Sequence, residues 1–530
     1  MLASKLVEEK FKLSVASQTS YQNAQRPNVE LPLKMPSWIF IFLVFIVLVV
    51  YYIIEQMFLR RRRYPPGPRP LPLIGNFHQI DLAYPHRTMM QWKNEYGSIF
   101  TVWLPKPIIV LADFDVLKEA LIKQGDIFAG RPMSYLYGIF THHRPDGDGI
   151  ILSQNEKWVH QRRFALRVFR DFGMGKKLME TKIGYHTDKL IEHIRRQIHK
   201  NAIEIMSIHL PIAFCVGNII QDLVLGMNYE FGDKNFLRFK KLIDSTLADV
   251  ASVQMLMVDS YPWMRFFLPT YYRYYRNGFA LQKFFLEHID EHEKHVSSDD
   301  EEPTDFIDAY IKEMRRRVAY GYYNKISLAL NAGDLWTGGM ETTVTTLRWA
   351  IIYLLHHPNV QERLFKEINS NLGSRKVTWA DRSTMHYTMA VISEVQRIIN
   401  ILPWHIPHAT TADTTLCGYD IAKGTTIMPQ MGVAIHYNNE YFPDGEKFDP
   451  ERFLNEDRTF RVYEQFHPFG IGKRSCLGEA LARMELFIIL TTLIQNFKFC
   501  PAYGVLPSLQ RSPGMASVPK EYICLIKERD

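Results

Sequence analysis

Cysteine is scarce in this sequence. Its 530 residues include five cysteines, an odd number, and no two of them are separated by only two residues. A disulfide framework needs cysteines in pairs, and a cysteine-rich structural zinc site needs them closely spaced, so the sequence indicates neither. Most of the chain is therefore expected to lie in a reducing compartment.

A strong charge bias and low-complexity sequence are also lacking. The formal net charge is +7, from 63 Lys and Arg against 56 Asp and Glu, and this bias is too diffuse to indicate nucleic acid. Hydrophobic residues make up 47%, too many for a disordered chain, and 29 Gly with 28 Pro are too few for a collagen-like one. No repeat or linker-like stretch interrupts residues 77–530, so we expect one large domain there.

One long hydrophobic run is present near the start. Residues 38–54 are seventeen consecutive apolar or aromatic residues, close to the number of about 20 that a membrane-spanning helix needs. We predict a transmembrane anchor over residues 36–59 rather than a buried core helix, because the run has no polar face. Four arginines, residues 60–63, follow it and mark the cytoplasmic side. Residues 60–76 are basic and rich in proline, and we predict that they form a semi-rigid tether. Residues 1–35 are predicted to be a poorly ordered tail.

The large domain is predicted to be mainly α with a small β component. Apolar residues three and four positions apart dominate it and are typical of helices. Strand-like runs are short and lie at residues 99–104, 108–111 and 425–428. A charged stretch at residues 292–305 predicts an exposed loop.

A glycine-rich segment at residues 469–478, FGIGKRSCLG, is the most informative for chemistry. Its glycine spacing fits neither a P-loop nor a dinucleotide-binding pattern. What remains is a cysteine, Cys476, in a glycine-lined loop before an amphipathic helix. The helix N-terminus, Lys473 and Arg474 are expected to lower the pKa of the thiol, and the glycines let a flat ligand approach the backbone. The segment therefore predicts a thiolate bound to a metal or cofactor.

Four further short motifs are spread along the chain. They are W-x-x-x-R at residues 158–162, GGMETT at 338–343, E-x-x-R at 394–397 and PERF at 450–453. Each is weak alone, because an acid and an arginine three residues apart are usually a solvated ion pair, and glycines inside a helix cost only about 1 kcal/mol each. In this order, and together with the cysteine loop, they resemble the motifs of the cytochrome P450 family of haem-thiolate monooxygenases.

The resemblance covers essentially everything after residue 36 and is closest to microsomal animal members of the drug- and hormone-metabolising clan. It implies a single large domain of the P450 fold that binds haem b, with Cys476 as the axial ligand of the iron. Glu341 and Thr342 are then the acid–alcohol pair that relays protons, in a widened helical turn above the iron. Further contacts to the haem are implied for eight residues: Trp158, Arg162, Arg474, His408, Arg131, Phe469, Gly470 and Gly478.

The same resemblance implies an activity and a location. One oxygen atom from O2 would be inserted into a lipophilic small molecule, such as a steroid, a fatty acid or a foreign compound. The electrons would come from NADPH through NADPH–cytochrome P450 reductase, with cytochrome b5 as a further candidate partner. The protein would be a single-pass protein of the endoplasmic reticulum membrane, with its catalytic domain facing the cytosol and no nucleic-acid partner.

The substrate site is implied only by analogy with the family. Its walls are expected at residues 131–150, at the Gly338 turn and at residues 401–406, ILPWHI, which are bulky and mainly apolar. Residues 255–272 are rich in aromatics and methionine and are either plain core or a patch that dips into the bilayer. A basic face around Lys473 and Arg474 would suit an acidic redox partner.

Three alternatives stay open. Residues 288–292 match H-x-x-E-H, an inverted zinc-peptidase signature, although their charged surroundings do not resemble a shielded pocket. A haem-thiolate isomerase of peroxides would need no reductase, but Glu341 and Thr342 would then have no protons to deliver. A non-catalytic sterol-binding or sensor protein on the same scaffold would not need the intact motifs.

Overall fold

The chain is described in two units. The computed structural model describes residues 37–55, 59–174, 176–202, 204–295, 302–317 and 321–529. One unit spans residues 1–56 and the other residues 57–530. The predicted tail, residues 1–35, lies outside the described residues, as does part of the predicted anchor. In the first unit the apolar run forms one helix, α1, Ser37–Ile54. Within the described ranges, no helix is both long enough and apolar enough to cross a membrane.

The second unit is mainly helical with short strands, as predicted. Its α-helices are α2 (Pro85–Tyr96), α3 (Phe114–Lys118), α4 (Tyr135–Phe140), α5 (Asn155–Asp171), α6 (Lys177–Asn201), α7 (His209–Leu225), α8 (Lys234–Val250), α9 (Val253–Ser260), α10 (Pro269–His295), α11 (Phe306–Arg316), α12 (Lys325–His356), α13 (Pro358–Leu372), α14 (His386–Ile399) and α15 (Glu479–Asn496).

The strands form four small sheets in the described part of the chain. They are β1 (Ile99–Leu104), β2 (Lys106–Leu111), β3 (Ile205–Met206), β4 (His408–Ala409), β5 (Thr414–Leu416), β6 (Tyr419–Ile421), β7 (Thr426–Pro429), β8 (Phe497–Pro501), β9 (Arg511–Ser512), β10 (Val518–Pro519) and β11 (Cys524–Glu528). The largest sheet has the order β1-β2-β7-β4, in which β2 and β7 are parallel and the other pairs antiparallel. The remaining sheets are β3-β11-β8, β9-β10 and β5-β6.

Helix α12 runs through the centre of the domain and packs against α7, α10, α14 and α15. It begins after Asn324, whose side chain accepts a hydrogen bond from the Ser327 N–H. It ends before Pro358, which starts α13 at a position where a missing N–H costs nothing. A Cβ on Gly339 would lie 2.9 Å from the Ile220 side chain, so this glycine lets α7 approach closely.

The proline-rich segment expected to act as a tether lies against the β-sheet. Pro65 is buried, the Thr101 N–H donates to the Pro66 carbonyl over 2.9 Å, and a Cβ on Gly67 would clash with the Thr101 carbonyl. Proline-rich chain has few conformations to lose, so fixing it to β1 costs little entropy. From Tyr64 onward, the segment is thus in contact with the domain that follows it.

Candidate functional site

The cysteine loop is shaped by two glycines with positive φ. Gly470 has a φ of 78° and Gly472 a φ of 79°, a region that side chains with a Cβ rarely adopt. The Cys476 N–H donates to the Phe469 carbonyl over 2.9 Å and closes the loop. Gly472 also lies directly against the Leu121 carbonyl, so that no Cβ fits there. The sulfur is therefore presented by a rigid turn, two residues before the N-cap of α15.

Electrostatics around the thiol differ from the expectation. Cys476 is exposed to solvent on one side. Burial by the surrounding protein nevertheless raises the pKa of its thiol, whereas the hydrogen bond from the Gly478 N–H and the charge of Arg162 lower this pKa. Lys473 makes an ion pair with Asp126, and Arg474 turns inward. Neither Lys473 nor Arg474 contributes to the shift, so the prediction that they lower the pKa of the thiol is wrong. The basic face around these two residues stays a prediction.

Three arginines converge beside this loop: Arg131, Arg162 and Arg474. In the part of the chain that is described, these arginines donate their hydrogen bonds to backbone carbonyls. Arg131 donates to the carbonyls of Ile151, Ile406 and Pro407. Arg162 donates to that of Ser475, and Arg474 donates to those of Ala129 and Ser153. Burial is the main reason why the pKa of Arg131 is lowered to about 10 and that of Arg474 to about 8. Arg162 contributes to both lowered pKa values, and Arg131 contributes to that of Arg474. Such a cluster of like charges is stabilised by anions.

Two further polar side chains border the arginines. Trp158, on α5, is buried under the Arg474 guanidinium, 3.8 Å from the ring centroid, and its indole N–H has no hydrogen-bond partner within the described residues. His408 is buried with Nδ1 2.7 Å from the Phe128 carbonyl, which requires a proton on Nδ1 and leaves Nε2 as an acceptor. Burial and the nearby Arg131 and Arg474 lower the pKa of His408 to about 3, so only a bound anion would let Nε2 donate.

These groups fit a flat cofactor with two carboxylates. Three guanidinium groups and an unpaired indole N–H are the donors that such carboxylates need. On Gly338 of α12 and on Gly478 beside the cysteine, an added Cβ would meet no heavy atom within 4 Å, so both backbones face open space. The Phe469 ring lies under the Arg483 guanidinium at 4.8 Å. A thiol, a basic margin and open glycine faces are the features of a haem-thiolate site.

The E-x-x-R motif is a buried ion pair and not a solvated one. Arg397 and Glu394 make two hydrogen bonds of 2.7 Å each, and both side chains are 0% exposed. Arg397 also donates to the carbonyls of His436 and Gly445, at 2.6 and 2.7 Å. Arg452 of the PERF motif lies 3.7 Å from Glu394, so the expected arrangement of one glutamate between two arginines is present.

The two residues expected to relay protons contact different partners. The Thr342 hydroxyl donates to the Gly338 carbonyl over 2.8 Å, whereas Glu341 Oε1 lies 3.5 Å from Lys240 Nζ on α8. Burial raises the pKa of Glu341 to about 7. Helix α12 continues regularly through Gly338 and Gly339, so the widened turn implied by the resemblance is not seen.

Two acids near the site, the partly buried Asp334 and the buried Glu485, were missed by the sequence analysis. Asp334 accepts hydrogen bonds of 2.8 Å from the N–H groups of Ile150 and Ile151, and burial raises its pKa to about 7. Glu485 accepts from the Thr343 hydroxyl at 3.1 Å, and burial raises its pKa to about 8. Their only signal in the sequence is an acid within an apolar helical stretch, which is too common to be decisive.

The three segments expected to form the substrate walls are tied to these elements. Arg131 fixes the end of the ILPWHI segment through the Ile406 carbonyl at 3.1 Å. Asp334 fixes the end of the 131–150 segment through Ile150, and Gly338 lies one turn further along the same helix. The three segments are thus connected to one another through α12 and the arginine cluster.

The H-x-x-E-H segment does not form a zinc site in the described structure. His288 Nδ1 lies 2.9 Å from the Phe284 carbonyl, and Glu291 is exposed. The described side chains that could share a metal ion are His292, Asp305 and Asp308, without His288. His292 instead pairs with Asp305 at 3.1 Å and links α10 to α11. The geometry therefore gives no support to a peptidase.

Comparisons with known proteins agree with the haem-thiolate class. Residues 65–526 match the family model described as "Cytochrome P450". The chain is 36% identical over 491 residues to a protein named "3-ketosteroid oxygenase" from Caenorhabditis elegans, covering 90% of this chain and 82% of that protein. It is 37% identical over 478 residues to "Cytochrome P450 2C25" of Mesocricetus auratus (88% and 94%) and 36% identical over 488 residues to "Cytochrome P450 2J2" of Homo sapiens (90% and 95%).

The chain belongs to the cytochrome P450 family. It is a haem-dependent monooxygenase of lipophilic substrates, and its cofactor is haem b. Its reaction uses O2 and an electron-donating partner protein.

The buried pair of Glu394 and Arg397 should dominate stability near the site. We expect Arg397→Met to lower the free energy of unfolding by about 3–5 kcal/mol and to reduce haem content, because it leaves a buried carboxylate without its main partner. Arg87→Met is the matched control, since Arg87 makes the same two-bond pair with Glu446 at the surface and should cost less than about 1 kcal/mol. Equal losses in urea unfolding of the two variants would contradict the role assigned to the buried pair.

Proposed function

We propose that Cys476 is the axial ligand of the haem iron and that the arginine cluster holds the haem propionates. The support is the convergence of three guanidinium groups with the unpaired Trp158 N–H beside the cysteine loop. When bound, haem supplies the redox chemistry that activates O2. The protein holds the sulfur in a rigid loop and neutralises the two carboxylates, while His408 and the faces of Phe469, Gly470 and Gly478 complete the proposed contacts.

Thr342 and Glu341 are the proposed route by which protons enter the site. The Thr342 hydroxyl commits its proton to the Gly338 carbonyl, so its lone pairs are presented as acceptors for water. Glu341, with its pKa raised to about 7 by burial, can hold a proton near neutral pH and release it. General acid catalysis requires a proton donor and a group that positions the water to be protonated. Glu341 and Thr342 supply these two groups from adjacent positions of α12.

Electrons are proposed to come from NADPH through NADPH–cytochrome P450 reductase, with cytochrome b5 as a second donor. The support is the sequence, which has neither a nicotinamide nor a flavin motif. Substrate oxidation should therefore depend on added reductase in a reconstituted system. For the substrate, the mainly apolar segment at residues 401–406 supports a lipophilic molecule, and the name of the nematode relative makes a 3-ketosteroid the first candidate for binding spectra.

The protein is proposed to be a single-pass protein of the endoplasmic reticulum membrane, anchored by residues 36–59 with its catalytic domain in the cytosol. Residues 38–54 supply the apolar run and residues 60–63 the adjacent positive charge. A second contact with the bilayer is supported by exposed rings at Trp263, Phe266 and Phe267, which are 59, 62 and 75% exposed.

Cys476→Ser should abolish the thiolate-type spectrum of the reduced carbon monoxide complex, because a serine oxygen cannot replace the sulfur as electron donor to iron. Cys417→Ser is the matched control, since Cys417 is also an exposed cysteine and lies in the β5–β6 turn. Its spectrum should be that of the parent protein. Retention of the thiolate-type spectrum in the Cys476 variant would refute the proposed ligand.

Thr342→Ala should raise the hydrogen peroxide released per NADPH oxidised by roughly tenfold, because general acid catalysis contributes at least that much. Thr346→Ala is the control, since the Thr346 hydroxyl makes the same 2.8 Å bond to a carbonyl four residues earlier. It should leave the ratio unchanged. An equal rise in both variants would mean that loss of the helical back-bond, and not loss of the relay, causes the uncoupling.

Substitution of Trp263, Phe266 and Phe267 by serine should weaken membrane binding of protein that lacks residues 1–59, because these rings supply exposed apolar area. Sedimentation with phospholipid vesicles measures the bound fraction. The control replaces Tyr503 and Val505 by serine, since both are exposed at 81 and 69% elsewhere on the domain. Unchanged sedimentation of the triple variant would argue against the second contact with the bilayer. Separately, loss of haem from the protein that lacks residues 1–59 would mean that this segment is more than an anchor.

A further inference from the structure

An imidazole and two carboxylates meet where α10 ends and α11 begins. His292 lies in the last turn of α10, Asp305 is the N-cap of α11, and Asp308 lies in the first turn of that helix. Each residue offers one atom that could bind a metal ion, and these atoms lie within 4.8 Å of one another. An ion held by all three would therefore join the ends of two helices.

The His292 ring is oriented by a group outside this cluster. Its Nδ1 lies 2.7 Å from the His288 carbonyl, one turn earlier on α10, and must carry a proton because a carbonyl only accepts. Nε2 lies 3.1 Å from Asp305 Oδ2, so two lone pairs would face each other there unless a proton or a metal ion lies between them. Metal-bound histidines are usually oriented in this way, with the other ring N–H donated to a carbonyl or a carboxylate.

The Asp305 carboxylate divides its two oxygens between the helix and the cluster. Oδ1 accepts a hydrogen bond of 3.0 Å from the Asp308 N–H and caps α11, whereas Oδ2 faces His292. Asp305 is 2% exposed, and a carboxylate buried to this extent needs a cation or several donors. Gly226, at the end of α7, lies against the same oxygen, since an added Cβ would be 2.6 Å from Oδ2. Glycine at this position thus leaves space beside the buried oxygen.

A second carboxylate exceeds what an ion pair with His292 needs. Asp308 Oδ2 accepts a hydrogen bond of 2.7 Å from the Thr304 hydroxyl, and the oxygen of this hydroxyl lies 3.2 Å from Asp305 Oδ2. Within the described residues, the ionisable base that contacts the cluster is His292. One imidazolium against two carboxylates leaves a net negative charge. A divalent ion with a neutral imidazole would balance both carboxylates.

The donor atoms favour zinc among the common divalent ions. Zn²⁺ takes imidazole nitrogen and carboxylate oxygen at about 2.0–2.2 Å and usually has four ligands in a tetrahedron, which places the ligand atoms about 3.4 Å apart. The 3.1 Å between His292 Nε2 and Asp305 Oδ2 is close to that separation. Ca²⁺ and Mg²⁺ prefer oxygen ligands alone. The Thr304 hydroxyl or a water molecule would complete the four ligands.

We propose that His292, Asp305 and Asp308 bind one zinc ion, which joins the end of α10 to the start of α11. The site is not the one that the H-x-x-E-H pattern would form, because His288 contributes its carbonyl and not its ring, and Glu291 is exposed. The ion is structural, since it holds two helices together and has no part in the oxidation of substrate. The proposal is independent of the residue roles under Proposed function.

The test is the zinc bound by the full-length, haem-loaded protein without a histidine tag. Protein cleared of metal with a chelator is dialysed against a series of zinc chloride concentrations, and mass spectrometry of the elements gives zinc per haem iron. His292→Gln and Asp308→Asn should each raise the Kd of one zinc ion by at least about tenfold. Zinc should also raise the unfolding temperature of the parent protein more than that of either variant. Asp305 is left unchanged, because loss of its helix cap could by itself lower stability.

His288→Gln and His295→Gln are the matched controls, since each removes an imidazole from the same end of α10 and should leave zinc binding unchanged. Equal binding by the parent protein and both site variants would mean adventitious binding to surface groups only and would overturn the proposal. Loss in His292→Gln with parent-like binding in Asp308→Asn would refute the site of three ligands. A loss in His288→Gln as large as that in His292→Gln would also overturn it, because the ligands would then be those of the H-x-x-E-H pattern.

Discussion

The buried ion pair of Glu394 and Arg397 is the constraint on which the rest of the site depends. A pair with no exposed surface must have its remaining hydrogen-bonding groups satisfied, because each unpaired one would cost about 1–3 kcal/mol. Arg397 meets this need with the carbonyls of His436, Gly445 and Lys447, and Glu394 accepts from the Asp449 N–H at 2.8 Å. The irregular chain from 436 to 449 is thereby attached to a single helix, and it leads directly into the PERF motif and the cysteine loop.

Buried charge of the opposite sign is concentrated at the arginine cluster. Arg131, Arg162 and Arg474 gather positive charge in the interior, and carbonyls orient them without neutralising them. Asp334 holds the 150–151 backbone, which in turn supplies a carbonyl to Arg131. A core selected for stability alone would use apolar groups here, since buried charges rarely stabilise a fold. The arrangement makes sense when two carboxylates of a cofactor complete it, so that binding of haem and folding of the domain stabilise each other.

The sequence was sufficient for features set by local pattern. Strand β1 was predicted at 99–104 as observed, and β7 within one residue, because alternating apolar residues and flanking turns act locally. The motifs, once linked to a family, predicted the pairing of Glu394 with two arginines. Contacts between distant segments could not be predicted in this way. Nothing in the sequence near Lys473 reveals that its partner is Asp126, and so the expected effect of Lys473 on the thiol was wrong.

The acids of α12 show why the function of such a helix is difficult to infer from one motif. Successive residues of an α-helix point about 100° apart, so the three adjacent residues of GGMETT that carry polar side chains face three directions. Glu341 faces Lys240 on α8, the Thr342 hydroxyl returns to the Gly338 carbonyl, and Thr343 reaches Glu485 on α15. The GGMETT motif therefore makes three separate contacts, with α8, with α12 itself and with α15. Glu485 is buried, whereas Asp244 on α8, which pairs with Lys240, has a side chain that is 45% exposed.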